Sequence, residues 1–212
     1  MLKKVLPILL LLPLLAFDSG EKYLGKITLY QHESYFKQKV YAEQNWKSFY
    51  QLKEAQVAID PNNYDLHLIS AAVFFATNKI RESKGLRSLK FTPELRDAAV
   101  LHTDQMIEKN FFDHYNNRSP LLRTPDQRIK LFRVRSNAIA ENIDYNNMPL
   151  KGKTTYIQLA EKIMDELYHS PPHRKNMLGK EYSFLGCAAI FEARDKQGVR
   201  YIKTTQDFAA DF

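Results

Sequence analysis

Hydrophobic residues recur at steps of three and four positions in three long segments of the chain, spanning residues 65–85, 92–110 and 154–170. In the first segment the repeating positions are Leu66, Ile69, Val73, Ala76 and Ile80. This spacing places apolar side chains on one face of a helix. The pattern therefore predicts three amphipathic helices.

Local signals predict where these helices begin and end. Gly85 suits the left-handed conformation that ends the first helix. Thr92 and Pro93 are typical of the N-cap and first position of the second, and "TPDQRIKLF" predicts a short helix by the same signal. Pro171 and Pro172 predict the end of the third helix. After this end, the stretch "HSPPHRKNML" is predicted to continue as a loop.

The hydrophobic period changes near the C-terminus. "FLGCAAIFEA" and "VRYIKTTQDFA" have the composition of strands, and "RDKQG" between them predicts a hairpin turn. Apart from the short helix, the stretch from "FFDHYNNRSPLL" to "AIAENIDYNNMPLKGK" is predicted to be irregular. Helices followed by a hairpin indicate an α+β layered domain.

The N-terminus predicts export. "MLKK" followed by "VLPILLLLPLLAF" is typical of a secretory signal peptide, assigned to residues 1–17, with an uncleaved anchor as the alternative. No second apolar run follows, so no stable transmembrane segment is expected after signal removal. The predicted location is secreted, periplasmic or in the cell envelope.

Residues 18–65 form an aromatic-rich extension to the main domain, which we assign to residues 66–212. "EQNWKSFYQLKEAQVAID" has a weak helical pattern with Trp46, Phe49 and Val57 near one face. We interpret the aromatic residues as packing on the main domain, since buried aromatics are common. A ligand platform is the alternative.

Charge and cysteine content limit the classes of function. The net charge of +7 favours contact with anionic surfaces, but the basic residues are scattered and match no nucleic-acid motif, so no nucleic-acid partner is expected. Cys187, the only cysteine, lies in an apolar run and is interpreted as a buried hydrophobe rather than a nucleophile.

Three motifs carry candidate chemistry: "NFFDH" ends at His114, "AIAENI" contains Glu141, and "SPPHRKNML" contains His173. Each lies in a loop or at the end of a regular element, where sites are usually built. His102 lies on the apolar face of the second helix and is interpreted as a hydrogen-bonded core histidine rather than a ligand.

These motifs, with "TNKIRESKGLRSLKFTPELRDAAVLHTDQMIEKNFFDH" and "LGCAAIF", resemble the CAP superfamily (SCP domain) over residues 68–208, and most closely its compact bacterial branch. The resemblance implies a three-layer α-β-α sandwich, here with an N-terminal extension, and a central cleft lined by His114, Glu141 and His173. It also implies that catalysis is not a general property, so binding is favoured over an enzymatic role.

The chain departs from the family at one site position. The family has an acid one turn after a Trp on the preceding helix, and here Leu167 and Ser170 occupy those places. Glu166 is nearby but on another face of the helix. Arg174 is expected to hold Glu141 or a backbone carbonyl, with an anionic ligand as the alternative.

Two imidazoles and one carboxylate support several functions. His114 and His173 could bind Zn²⁺ or another divalent metal, or could form a proton-transfer pair or a structural network. We expect a secreted or envelope binding module for a lipid, envelope component or protein. The alternatives are a metal-dependent hydrolase or protease using His114, Glu141 and His173, and a purely structural envelope protein.

Overall fold

The computed structural model describes residues 34–147, 154–193, 196 and 199–211. Its α-helices are α1 (Lys39–Glu43), α2 (Trp46–Phe49), α3 (Leu66–Ser83), α4 (Pro93–Glu108), α5 (Pro125–Leu131), α6 (Tyr156–His169) and α7 (Pro171–Met177). Its strands are β1 (Lys90–Phe91), β2 (Ile139–Asn147), β3 (Phe184–Phe191) and β4 (Tyr201–Ala209). Single 3₁₀ turns occupy Tyr35–Lys37, Glu54–Gln56 and Pro120–Leu122.

The strands form one mixed sheet in the order β1-β3-β4-β2. β1 runs parallel to β3, while β4 is antiparallel to both β3 and β2. Helices α3 and α6 pack together on one face of the sheet, and α4 packs on the other face against β3 and β4. The predicted α-β-α sandwich is therefore confirmed.

The larger core lies between the sheet and helices α3 and α6, and it includes the fully buried side chains of Ile69, Leu159 and Ile163. The opposite face packs more closely because α4 lies directly over β3. A Cβ atom on Gly186 would lie 2.1 Å from the backbone nitrogen of Arg96. Glycine is therefore required at this position for the close approach of helix and strand.

The predicted helix ends are confirmed where their signals are local. The side chain of Thr92 accepts a hydrogen bond from the backbone of Leu95, with Pro93 as the first helical residue. Thr124 and Thr155 each form a reciprocal capping box at the start of α5 and α6. Gly85 has φ +70°, the left-handed conformation predicted for it.

Two expectations from the sequence were wrong. Pro171 and Pro172 do not lead into a loop: Pro171 begins the short helix α7, because proline is well suited to the first helical turn. The stretch containing Glu141 is not irregular, since Ile139–Asn147 forms the long strand β2. Buried asparagine and aspartate side chains gave this strand a polar composition, and they are satisfied by hydrogen bonds such as Asn142 to Gln206.

The described part of the N-terminal extension packs on the main domain. Phe49 stacks on Phe75 with ring centroids 4.5 Å apart, and Tyr41 stacks on Phe91 at 3.6 Å. In the segment with the weak helical pattern, which follows the end of α1, the structure has one short helix, α2, and the 3₁₀ turn at Glu54–Gln56, and Val57 is exposed. The predicted signal peptide lies outside the described residues, and so does the "RDKQG" turn except for Lys196. Within the described residues, no helix is long and apolar enough to cross a membrane.

Candidate functional site

Glu141 is the centre of a buried polar cluster on the α4 face of the sheet. It lies on β2 directly opposite Asp207 of β4, which in turn pairs with Gly186 of β3. Only 1% of its side chain is exposed. Burial alone would raise the pKa of Glu141, but the hydrogen bond from His114 and the charges around it hold that pKa below its usual range. Glu141 is therefore a buried carboxylate anion.

Arg128 supplies the positive charge that balances Glu141. It projects from α5, is fully buried, and donates from Nη2 to Oε2 of Glu141 at 2.6 Å. The same nitrogen donates to the carbonyl of His114 at 3.0 Å, while Nη1 donates to the carbonyls of Leu122 and Arg123. Arg128 thus fixes both the carboxylate and the loop that carries the histidine. No pattern in the sequence had marked Arg128 as a site residue.

His114 contacts the other oxygen of the same carboxylate. Its Nδ1 lies 2.9 Å from Oε1 of Glu141, and 39% of its side chain is exposed. An ionised carboxylate only accepts hydrogen bonds, so Nδ1 carries the proton and donates it. In the neutral ring Nε2 is then left as an acceptor. A left-handed residue, Asn110 (φ 49°), turns the chain after α4 towards this loop.

His102 lies on α4 as predicted, in the buried core. Its Nε2 is 3.1 Å from the carbonyl of Asp113 and 3.7 Å from Oε1 of Glu141. Burial lowers the pKa of His102 to about 4, and the nearby charge of Arg128 acts in the same direction. His102 is therefore neutral at physiological pH and supports the loop before His114.

His173 lies on α7, beside the same end of β2. Its backbone carbonyl accepts a hydrogen bond from Nδ2 of Asn142, and Asn176 of the same helix donates to Oδ1 of Asn142 at 2.9 Å. Its imidazole is partly buried. Burial lowers the pKa of His173, and the neighbouring His114 lowers it further, so the two imidazoles influence each other electrostatically.

The weaker candidates lie away from Glu141. Glu166 is on the surface of α6, 3.9 Å from Lys162. Ser170 joins α6 to α7, and its side chain makes no capping hydrogen bond. Arg174 donates to the carbonyl of Tyr168 at 3.0 Å, so it holds a backbone carbonyl, one of the two roles expected for it.

The described residues do not fit a three-ligand metal centre. Among them, no group of three or more His, Cys, Asp or Glu side chains is placed to hold a metal ion. Both oxygens of Glu141 are already occupied, one by His114 and one by Arg128. A metal would have to rely on the two histidines, with Glu141 orienting His114 from behind as carboxylates often do for ligating histidines.

Comparison with known proteins identifies the family. Residues 74–207 match the family model of CAP, the cysteine-rich secretory protein family. The chain belongs to the CAP family. The match begins within α3 and ends at Asp207, so the CAP domain contains the whole polar cluster.

Two curated proteins of Bacillus subtilis are similar to this chain. The chain is 30% identical to the uncharacterized protein YkwD of Bacillus subtilis over 114 residues, which are 54% of this chain and 39% of that protein. It is 24% identical to the uncharacterized membrane protein YlbC of the same organism over 186 residues, covering 81% and 45% respectively. The chain thus spans less than half the length of these curated relatives.

Solved structures show the same fold. An extracellular protein with an SCP domain from Bacillus anthracis is 26% identical, with a TM-score of 0.51, covering 68% of this chain and 41% of that one. An outer surface protein from Borrelia burgdorferi is 14% identical, with a TM-score of 0.53, covering 73% and 98%. The second likeness concerns the fold alone.

Proposed function

We propose that this CAP domain is a secreted or envelope binding module whose imidazoles, His114 and His173, line a cleft for a hydroxyl- or amide-bearing envelope ligand. The observation that carries the proposal is the contact of Nδ1 of His114 with Oε1 of Glu141 at 2.9 Å. It fixes the proton on the inner nitrogen and presents Nε2, on a partly exposed ring, as a hydrogen-bond acceptor.

The electrostatics of the site favour a ligand that donates hydrogen bonds. The negative charge of Glu141 is matched by Arg128, and both are buried. The pKa of His173 is lowered by burial and by His114, so its ring is neutral at physiological pH. A neutral His173 beside a balanced ion pair offers little attraction to a phosphate, whereas a sugar hydroxyl or an amide N–H can donate to Nε2 of His114.

The proposed location has separate support. The B. anthracis neighbour, which is 26% identical, is described as extracellular. The first residues of this chain have the composition of a signal peptide, and its net charge is +7. Long-range attraction to an anionic envelope would bring such a protein to its ligand.

Replacing both His114 and His173 by Ala is expected to weaken binding to purified peptidoglycan sacculi by roughly tenfold or more. Two lost hydrogen bonds of about 1 kcal/mol each give a loss of this size. Co-sedimentation across a range of sacculus concentrations measures it. His169→Ala is the matched control, since that ring is 73% exposed at the end of α6.

Equal binding by the wild type, the double variant and the control would refute the imidazole site. Vesicles of phosphatidylglycerol form a second arm of the experiment. A groove of about 350 Å³ between α3 and α6, with Ile80 and Met164 in its lining, offers an apolar surface to a lipid chain. Strong vesicle binding that survives the double substitution would place a lipid there instead and would contradict the proposal.

Hydrolysis is the second candidate function. A histidine whose Nδ1 contacts a buried carboxylate has the geometry of an oriented general base, which could activate a water molecule. Cys187 is unsuited as a nucleophile because it is buried and burial raises the pKa of its thiol. Turnover that is lost in His114→Ala and kept in His169→Ala would favour this candidate over pure binding.

Binding of Zn²⁺ or another divalent metal by His114 and His173 is a further proposal, which the histidine variants also test. Two imidazole ligands are fewer than the three or four protein ligands of typical zinc sites. Calorimetric zinc titration of the wild type and the double variant measures the contribution of the two rings. Equal uptake by both proteins would rule out the proposed metal site.

A further inference from the structure

Asp207 is a second carboxyl group of the cluster and has no role in the function proposed so far. It lies on β4 directly opposite Glu141 and is fully buried. Within the described part of the chain neither of its oxygens accepts a hydrogen bond from a donor group. An ionised carboxylate in this position would lack a hydrogen-bond donor and would have to share the guanidinium that already balances Glu141, which is very costly in a protein interior.

The groups around Asp207 show how the free-energy cost of a buried ionised carboxylate is avoided. Glu141 is the directly opposite residue on the neighbouring strand β2, Arg128 of α5 contributes a positive charge, and Cys187 of β3 is a nearby thiol. Two ionised carboxylates cannot bond to each other, because each can only accept. One proton between them turns the close approach into an O–H···O⁻ hydrogen bond, as in other paired carboxyl groups.

The donors around the pair decide which acid keeps the proton. Glu141 receives hydrogen bonds from Arg128 at 2.6 Å and His114 at 2.9 Å, which stabilise its ionised form. Asp207 receives none from the described residues. Burial raises the pKa of Asp207 well above its usual range, and the charge of Glu141 raises it further. The proton therefore belongs to Asp207.

We propose that Asp207 is a neutral acid at physiological pH that donates its proton to Glu141 and acts as a positioning residue for His114. Glu141 would then accept from three sides: Arg128, His114 and Asp207. The third donor holds the carboxylate in the one orientation that keeps the proton on Nδ1 of His114. This consequence rests on the proposed role of His114, whereas the shared proton does not.

Carbon-13 NMR of protein labelled at the aspartate side-chain carboxyl tests the shared proton directly. At pH 7 we expect one aspartate signal at the chemical shift of a protonated acid, and its loss in Asp207→Asn. Asp144→Asn is the matched control. Burial raises the pKa of Asp144 to about 6, so this group is mostly ionised at pH 7 and its replacement should leave the signal in place.

A spectrum in which every aspartate is ionised at pH 7 would overturn the proposal. If Asp207→Asn does not fold, the spectrum of the wild type alone is enough to give this result.

The positioning role of Asp207 is tested by a separate measurement, the tautomer of His114. Asp207→Val removes the donor and should give a mixture of His114 tautomers, whereas Asp207→Asn keeps an N–H donor and should keep one. An unchanged His114 tautomer in a folded Asp207→Val protein would overturn this role. If only the proposed binding to sacculi fails, the carboxyl signal of Asp207 is unaffected, so the two failures can be told apart.

Discussion

Replacing Arg128 by Met is expected to lower the free energy of unfolding by about 3–5 kcal/mol at neutral pH. Glu141, whose side chain is 1% exposed, would keep its charge without the guanidinium that lies 2.6 Å away. The carbonyls of His114, Leu122 and Arg123 would also lose a donor. Denaturant unfolding monitored by circular dichroism measures the change.

Two further variants make the Arg128 result interpretable. Arg135→Met removes the same side chain from an exposed position and should cost well under about 1 kcal/mol. Arg128→Met combined with Glu141→Leu removes both charges and should recover part of the loss. A cost for Arg128→Met equal to that of Arg135→Met would show that the buried ion pair does not hold this end of the domain together.

Acid is expected to remove about 3 kcal/mol of stability through His102 as the pH falls from 6.5 to about 4. The pKa of His102 is lowered from 6.5 to about 4 in the folded protein, chiefly by burial, so the unfolded chain binds a proton first. The stabilising contribution of neutral His102 is fully present above pH 6.5 and is lost as the pH falls towards 4. The difference in unfolding free energy between wild type and His102→Gln should change by this amount across the window.

Asp144 acts in the opposite direction, which is why a difference between variants is needed. Burial raises its pKa from 3.8 to about 6, so the folded state holds the proton and loses stability as the pH rises through that range. The contributions of His102 and Asp144 to the pH dependence of the unfolding free energy therefore partly cancel in the wild type. His169→Gln, which replaces an exposed histidine, is the matched control. A difference for His102→Gln that stays flat with pH would contradict the assigned environment of His102.

The sequence predicted those parts of the fold that depend on local signals. The caps at Thr92 and Thr124 act within one turn of helix, so their effect can be predicted without tertiary structure. β2 was not predicted because its buried asparagines depend on partners far away in the chain, such as Gln206 for Asn142. Only the sheet register brings those partners together.

Of the candidate site, too, only a part could be predicted from the sequence. The resemblance to CAP proteins indicated His114 and Glu141, and the structure brings them into contact. Arg128 was missed because, within a short polar helix, it has the pattern of an exposed residue, and only the position of α5 against β2 buries it. Asp207 did leave a signal, since it is a lone acid in an otherwise uncharged strand segment, "TTQDFA". Its partner could not be inferred without the register.

The most direct test of the central claim is the protonation state of the His114 ring. Nitrogen-15 NMR of the histidine side chains at pH 8, where an unperturbed imidazole is neutral, distinguishes the two tautomers, with His114→Ala providing the assignment. We expect the proton on Nδ1, bonded to Glu141, and an unprotonated Nε2 available to a ligand. A ring protonated on Nε2 instead would contradict the account, because His114 would then have no acceptor nitrogen to offer to a ligand.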